Sequence, residues 1–218
     1  TYLERGDVMQ NEEVMHKERP QKLRAKLVRG LSNGQPVNLD YPIRPISFAG
    51  SRVTGGFWFK RLEDNREHTL PDGWKHLKHC ITDLEIAGLR KEGKHEGMHW
   101  ADSDLFKVME GAAIALAHRR DPELEKTLDH LIELTAGAQE PDGYLYTART
   151  IDPHNPAPGG GPTRWSFMPG SHELYCMGHL IEAAVSHYEA TGKRTFLNVA
   201  LLCGNLLVNT FGPDKIRD

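Results

Sequence analysis

The sequence predicts an all-α fold assembled from helical hairpins, and three observations carry that prediction. Two stretches repeat one pattern: a capped amphipathic helix, a tight turn, a second amphipathic helix and a Gly/Pro loop. The first runs from Trp100 to Thr147 and the second from Ser171 to Asp214. In both, apolar side chains recur at three- and four-residue spacing, the period that turns one stripe of a helix towards a core. The turns inside each copy are only a few residues long, so successive helices must return antiparallel. The copies are offset by roughly seventy residues, longer than the usual solenoid periods. Such an array, with long loops at one end, gathers polar residues around a central cavity.

In chain order, residues 1–39 form a polar extension with Glu12-Glu13, Lys17-Glu18-Arg19 and the basic stretch from Lys22 to Arg29. Residues 40–218 are assigned to the helical domain. Pro42 and Pro45 forbid a regular helix over Asp40–Ile46 and favour extended chain, which continues through Ser51–Thr54 to Gly55-Gly56. Phe57–His68 reads as a helix with Trp58, Leu62 and Arg66 at helical spacing. Thr69-Leu70-Pro71 reads as the cap and first turn of the next, whose apolar face is Trp74, Leu77 and Ile81. Gly88–Gly97 is a loop rich in Lys, Glu and His.

In the first hairpin, Asp102 or Ser103 is expected to cap a helix carrying Leu105, Val108, Met109, Ala112, Ala113 and Leu116. Asp121-Pro122 caps and opens its partner, which carries Leu124, Leu128, Leu131, Ile132 and Thr135. In the second, Ser171 is expected to cap a helix with Leu174, Met177, Ile181, Ala184 and Val185. Gly192 supplies the left-handed stop. Phe196, Val199, Ala200, Cys203, Leu206 and Leu207 form the returning helix. The loop Ile151–Pro162 holds several prolines and Gly159-Gly160-Gly161. With no following Lys-Ser/Thr this triplet is read as loop flexibility, and a loop of that length suits function.

Composition excludes several classes. Of 218 residues 39% are hydrophobic and 26% charged, and the formal net charge is -3. That gives no electrostatic reason to expect nucleic acid. No apolar run approaches the roughly 20 residues needed to cross a bilayer. Cys80, Cys176 and Cys203 are scattered and odd in number, so they read as packed thiols rather than a disulfide framework or a metal site. The chain opens at Thr1 with no leader pattern, and Asp218 follows closely on a helix stop at Phe211-Gly212-Pro213. We therefore expect a piece of a longer protein, partnered by the missing C-terminal part of the same chain. Cytoplasmic and periplasmic locations both stay open.

Three residues stand out as candidates for binding a ligand. His172 is expected in the first turn of a helix after a long loop, where unpaired N–H groups suit sugar hydroxyls or anions; the plainer account is a histidine bonded to a loop carbonyl. Trp100 is either a stacking platform for a sugar ring or a hydrophobic staple. Asp102 and Asp104 flank a serine at a helix start, and capping explains one of them. They are too close in sequence to be assigned as an acid/nucleophile pair without geometry. His179, seven residues after His172, misses the i,i+3 or i,i+4 spacing of helical metal ligands and reads as packing. No GxSxG, P-loop, HExxH or GxGxxG occurs in its required context.

Four longer motifs carry a resemblance. Thr54-Gly55-Gly56-Phe57-Trp58 with Arg61–Arg66 and Thr69-Leu70-Pro71, then Trp100–Lys107, then Ala138–Thr147, then Ser171–Tyr175 through His179–Val185 resemble glycoside hydrolase family 127, the β-L-arabinofuranosidase family, and its near relative family 146. The match covers about Asp40 to Pro213 in the family's order. It implies that these hairpins form part of an (α/α)6 toroid and that the substrate is a small saccharide or glycan, a β-L-arabinofuranoside or a related plant-derived sugar. It implies retaining hydrolysis by a zinc-bound cysteine thiolate with a glutamate as acid/base. Coordination to zinc deprotonates a thiol outright. In the family those residues fall after the point where this sequence stops, so no catalytic residue, metal ligand or cofactor is assigned to this chain, and the chain alone is expected to be inactive. The resemblance makes His172 a sugar contact, with Trp100 and Asp102 beside it. It departs from the family at Lys78-His79-Cys80-Ile81-Thr82-Asp83, where many relatives have Cys-Glu-x-Thr-Gly-Arg. The alternatives are a non-catalytic carbohydrate-binding or scaffold protein, and a different (α/α) toroid enzyme such as a lyase or unsaturated-uronide hydrolase.

Overall fold

The path of the chain follows from where it can and cannot break its helices. The structure is a computed structural model that describes residues 46–215; the polar extension and the extended reading over residues 40–45 lie outside the described residues. From Phe48 onwards the chain forms one unit. Among the described residues there is no β-strand.

A 3-10 turn, Phe48–Gly50, precedes α1 (Gly56–Asp64), which passes through one π turn (Asn65–Thr69) into α2 (Leu70–His76). The sequence predicts a break and fresh cap at Thr69, but Thr69 keeps helical angles (φ -66, ψ -46) and makes no cap bond. A proline inside a helix clashes with the carbonyl four residues back. Here the wider π turn lies just ahead of Pro71 and loosens that ladder, so the run continues. Next come α3 (Lys78–Ala87), the first hairpin α4 (Ala101–His118) and α5 (Pro122–Ala138), and two single turns α6 (Thr147–Thr150) and α7 (Met168–Ser171). The second hairpin is α8 (Glu173–Thr191) and α9 (Thr195–Thr210).

Both hairpin turns form as their residues require. The Asp121 carboxylate accepts from the Leu124 N–H at 3.1 Å, with Pro122 in the first helical position. Gly192 closes α8 at φ 75, a conformation that glycine enters without a side-chain clash. Cross-links between hairpins fix the direction of packing. Cys176 meets the Trp100 carbonyl near the starts of α8 and α4, and Ser186 meets Glu110 further along both. In the other pair, Lys193 binds Glu125 and Asp129 (2.8 and 2.6 Å), while Gln139 donates to the Val199 carbonyl at 2.9 Å. Like helices are therefore parallel, with α4 and α8 in one layer, and α5 and α9 in the other; α3 packs on α5.

The core explains why α4 and α8 lie so close. Ala112 and Ala113 on one and Ala183 and Ala184 on the other are fully buried, and small side chains let the backbones approach. Phe106, Met109, Met177 and Leu180 fill the space around them, each contributing about 1.5–3 kcal/mol by burial. On α9, Phe196 is 1% exposed, and Leu206 and Leu207 are packed against the core. The apolar side chains that face outwards on α9 are Leu201, Leu202 and Val208, because this helix is apolar on two faces.

Candidate functional site

The long motifs interlock where α4 and α8 begin. Asp102 does not cap α4, which starts at Ala101 with Trp100 in the cap position and no side-chain cap bond. It lies inside the first turn, 2% exposed, and its two oxygens accept from Thr147, at 2.8 Å from the N–H and 2.6 Å from Oγ1. Burial pushes its carboxyl above the ordinary range, and the two Thr147 donors pull the other way. Asp102 thus anchors the loop that follows α5. Ser103 is buried beside it.

Ser171 does not cap α8 either, because it lies in α7 and its hydroxyl donates to the Glu173 carboxylate at 2.7 Å. The cap position belongs to His172, which is left-handed at φ 60, ψ 17 and makes no cap bond. A non-glycine residue there is strained and points to function. The His172 ring turns back so that Nδ1 lies 2.8 Å from the Gly170 carbonyl, and His99 Nε2 lies 2.8 Å from the same oxygen. A carbonyl only accepts, so the proton of His172 sits on Nδ1 and that of His99 on Nε2. With Nδ1–H donating to that carbonyl, Nε2 is the ring atom left to accept.

Around the His172 ring the aromatic side chains form a cluster. His172 is 5.0 Å from Trp100, 5.3 Å from His99 and 5.7 Å from Tyr175 (ring centroids), and Tyr175 stands edge-on to His179 at 4.6 Å. The Tyr175 hydroxyl takes a 2.7 Å bond from Lys107, which also reaches Asp104 at 3.3 Å. The structure thus brings His172 and Trp100 together and places Asp102 in the layer beneath, with Asp104 on Lys107. His179 is half-buried, with Glu182 3.0 Å from its Nδ1. The sequence reading missed His99, Lys107 and Tyr175. The Tyr175-His179 and Asp104-Lys107 spacings, one helical turn each, were the signal available.

The long loop is less free than its glycines suggested. Arg149, 9% exposed, donates to the carbonyls of Gly161, Pro162 and Pro153. Gly159, at φ 93, lies against the His99 ring so closely that an added Cβ would overlap it. The triplet is therefore a shaped support for His99 rather than slack. Arg164 closes the other flank, paired with Asp142 at 2.5 Å and with Glu140, and stacked 3.9 Å over Tyr144.

Zinc-thiolate chemistry does not fit the residues present. Among the described residues no group of three or more His, Cys, Asp or Glu is placed to hold a metal. All three cysteines are buried, and burial pushes the thiols of Cys80 and Cys203 up to about 12 and about 11, and that of Cys176 upwards too. These are protonated packing groups, the opposite of a metal-activated thiolate.

Antiparallel hairpins packed with like helices parallel are the repeat of an (α/α) toroid, and a strained histidine beside a tryptophan at the helix starts suits carbohydrate recognition. The chain belongs to the family of the β-L-arabinofuranosidase GH127 catalytic domain, whose model matches residues 51–218. It is 33% identical over 184 residues to a non-reducing end β-L-arabinofuranosidase of Bifidobacterium longum subsp. longum, covering 75% of this chain and 28% of that protein. Among solved structures, a GH127 β-arabinofuranosidase superposes with TM-score 0.75 at 39% identity, over 82% of this chain and 29% of the other. A GH127 β-L-arabinofuranosidase from Geobacillus stearothermophilus T6 gives 0.68 at 40% identity, over 73% and 26%. The chain thus spans under a third of the length of these relatives.

Proposed function

We propose that this chain forms the N-terminal part of a glycosidase catalytic domain acting on a β-L-arabinofuranoside or a related plant-derived sugar. In this reading it supplies substrate contacts, while the bond-breaking groups belong to the rest of the protein. The observation that carries the reading is His172, held left-handed with Nδ1 on the Gly170 carbonyl, Nε2 left to accept, and Trp100 5.0 Å away. An imidazole acceptor next to an aromatic surface matches a sugar, which offers hydroxyl donors and C–H faces together. Asp102 contributes by fixing the Thr147 loop behind the rings. The family and the relatives it matches support this choice of substrate class.

The test is hydrolysis of p-nitrophenyl β-L-arabinofuranoside by the full-length protein, its His172→Ala and Trp100→Ala variants, and the 218-residue chain alone. Removing the His172 hydrogen bond should cost about 0.5–1.5 kcal/mol in kcat/KM, more if a sugar hydroxyl is left unpaired. The chain alone should give no turnover. Wild-type kinetics in both variants would remove His172 and Trp100 from the site, and turnover by the short chain would place the chemistry inside it.

A further inference from the structure

We propose that Glu173 is a positioning residue that sets the direction of the His172 imidazole, an inference resting on the reading of His172 as a sugar contact. Glu173 is 1% exposed at the first position of α8. One carboxylate oxygen accepts from the Tyr144 hydroxyl at 2.7 Å and the other from the Ser171 hydroxyl at 2.7 Å. The Trp165 N–H lies 3.2 Å from both. The carboxylate thus ties together the loop after α5, the loop before α7 and the residue just ahead of His172. Tyr146 adds a second fastening by donating to the Ser171 carbonyl.

A left-handed non-glycine residue is disfavoured and reverts unless its neighbours hold it. Both neighbours of His172 are held here, Ser171 through two bonds and Glu173 through its own carboxylate. Starting α8 does not require this strain, since a serine or aspartate cap would start a helix without it. What the clamp produces is a backbone that lets Nδ1 reach Gly170 and turns Nε2 away from it. Burial further raises the Tyr144 hydroxyl pKa, which keeps that group a donor to Glu173. A glutamine in place of Glu173 would keep the shape but set an amide N–H₂ against one of these donors.

A double-mutant cycle in the full-length protein separates positioning from general support of the fold. We measure kcat and KM on p-nitrophenyl β-L-arabinofuranoside for wild type, Glu173→Gln, His172→Ala and the double variant, and solve the structure of Glu173→Gln. Tyr144→Phe replaces Glu173→Gln in every arm should the latter not fold. The expected result is about a three- to tenfold fall in kcat/KM with His172 present, no larger than that of His172→Ala, and less than about twofold without it, with His172 out of the left-handed region in the variant structure. Equal losses in both backgrounds, or an unmoved His172, overturn the proposal. A silent His172→Ala would instead count against the sugar contact, and the variant structure would still decide whether Glu173 sets His172.

Discussion

The carboxylate of Asp102 and both donors of Thr147, 45 residues apart in sequence, form a closed pair: Oδ2 accepts the N–H at 2.8 Å and Oδ1 the hydroxyl at 2.6 Å. Through it the first turn of α4 holds the loop that carries Tyr144 and Tyr146 to the start of α8. Thr147→Val removes one donor from a buried carboxylate and should cost about 1–3 kcal/mol. Thermal unfolding of the variant checks this; an unchanged melting temperature would mean that the pair carries no load.

Asp121 serves two partners at once, capping α5 through Leu124 and pairing with Arg66 at 3.1 Å. The Leu124 N–H and then Arg66 hold its carboxyl below the ordinary value, so its contribution is present at neutral pH and is lost as pH falls through that lowered value. Asp121→Asn should keep the cap and lose only the half-buried ion pair with Arg66, the smaller effect of the two. Asp121→Ala should lose both and cost about 0.5–2 kcal/mol. Equal melting temperatures for the two variants would contradict the division.

Two histidines, one buried and one half-buried, should pull the pH dependence of stability in opposite directions. Burial lowers the pKa of His187, which is 1% exposed, so protonation favours the unfolded chain and stability falls as pH drops below 6.5. For His95, burial also opposes the charge, but the Asp83 carboxylate at 2.7 Å outweighs it and raises the pKa. That contribution is complete below 6.5 and is lost as pH rises through the raised value. In melting curves across pH, His187→Leu should flatten the acid side and His95→Gln the neutral-to-alkaline side. The reverse assignment would refute both.

The hairpins were legible in the sequence because their signals are local: Asp121-Pro122 and Gly192 act on the backbone within one turn. Apolar spacing likewise marked Met109, Ala112, Met177 and Ala184 as core. The helix starts were misread for the opposite reason. Asp102 and Ser171 look like caps, but Thr147 and Glu173 compete for their oxygens, and Thr147 is 45 residues from Asp102. No local pattern marks His172 as left-handed, since the clamp that imposes it is assembled from Tyr144, Tyr146, Trp165 and Ser171. Pro71 misled in the same way, because a preceding π turn is a matter of geometry that composition does not announce.

Gly111 sits in the middle of α4, where an added Cβ would meet nothing within 4 Å. It borders a cavity of about 40 Å³ between α1 and α4 that Leu62, Ile114 and Ala115 also line. Gly111→Ala should therefore stabilise the chain by about 0.5–1 kcal/mol through lower unfolded-state entropy. A fall in melting temperature would contradict this.

The central claim is that the ring cluster at the starts of α4 and α8 meets the sugar, and a crystal structure of the full-length protein with L-arabinose tests it most directly. The account predicts a sugar hydroxyl within hydrogen-bond distance of His172 Nε2, about 2.6–3.2 Å, with Nδ1 still on the Gly170 carbonyl and a face of the sugar against Trp100. A sugar bound in the catalytic domain but out of reach of both His172 and Trp100 would contradict it.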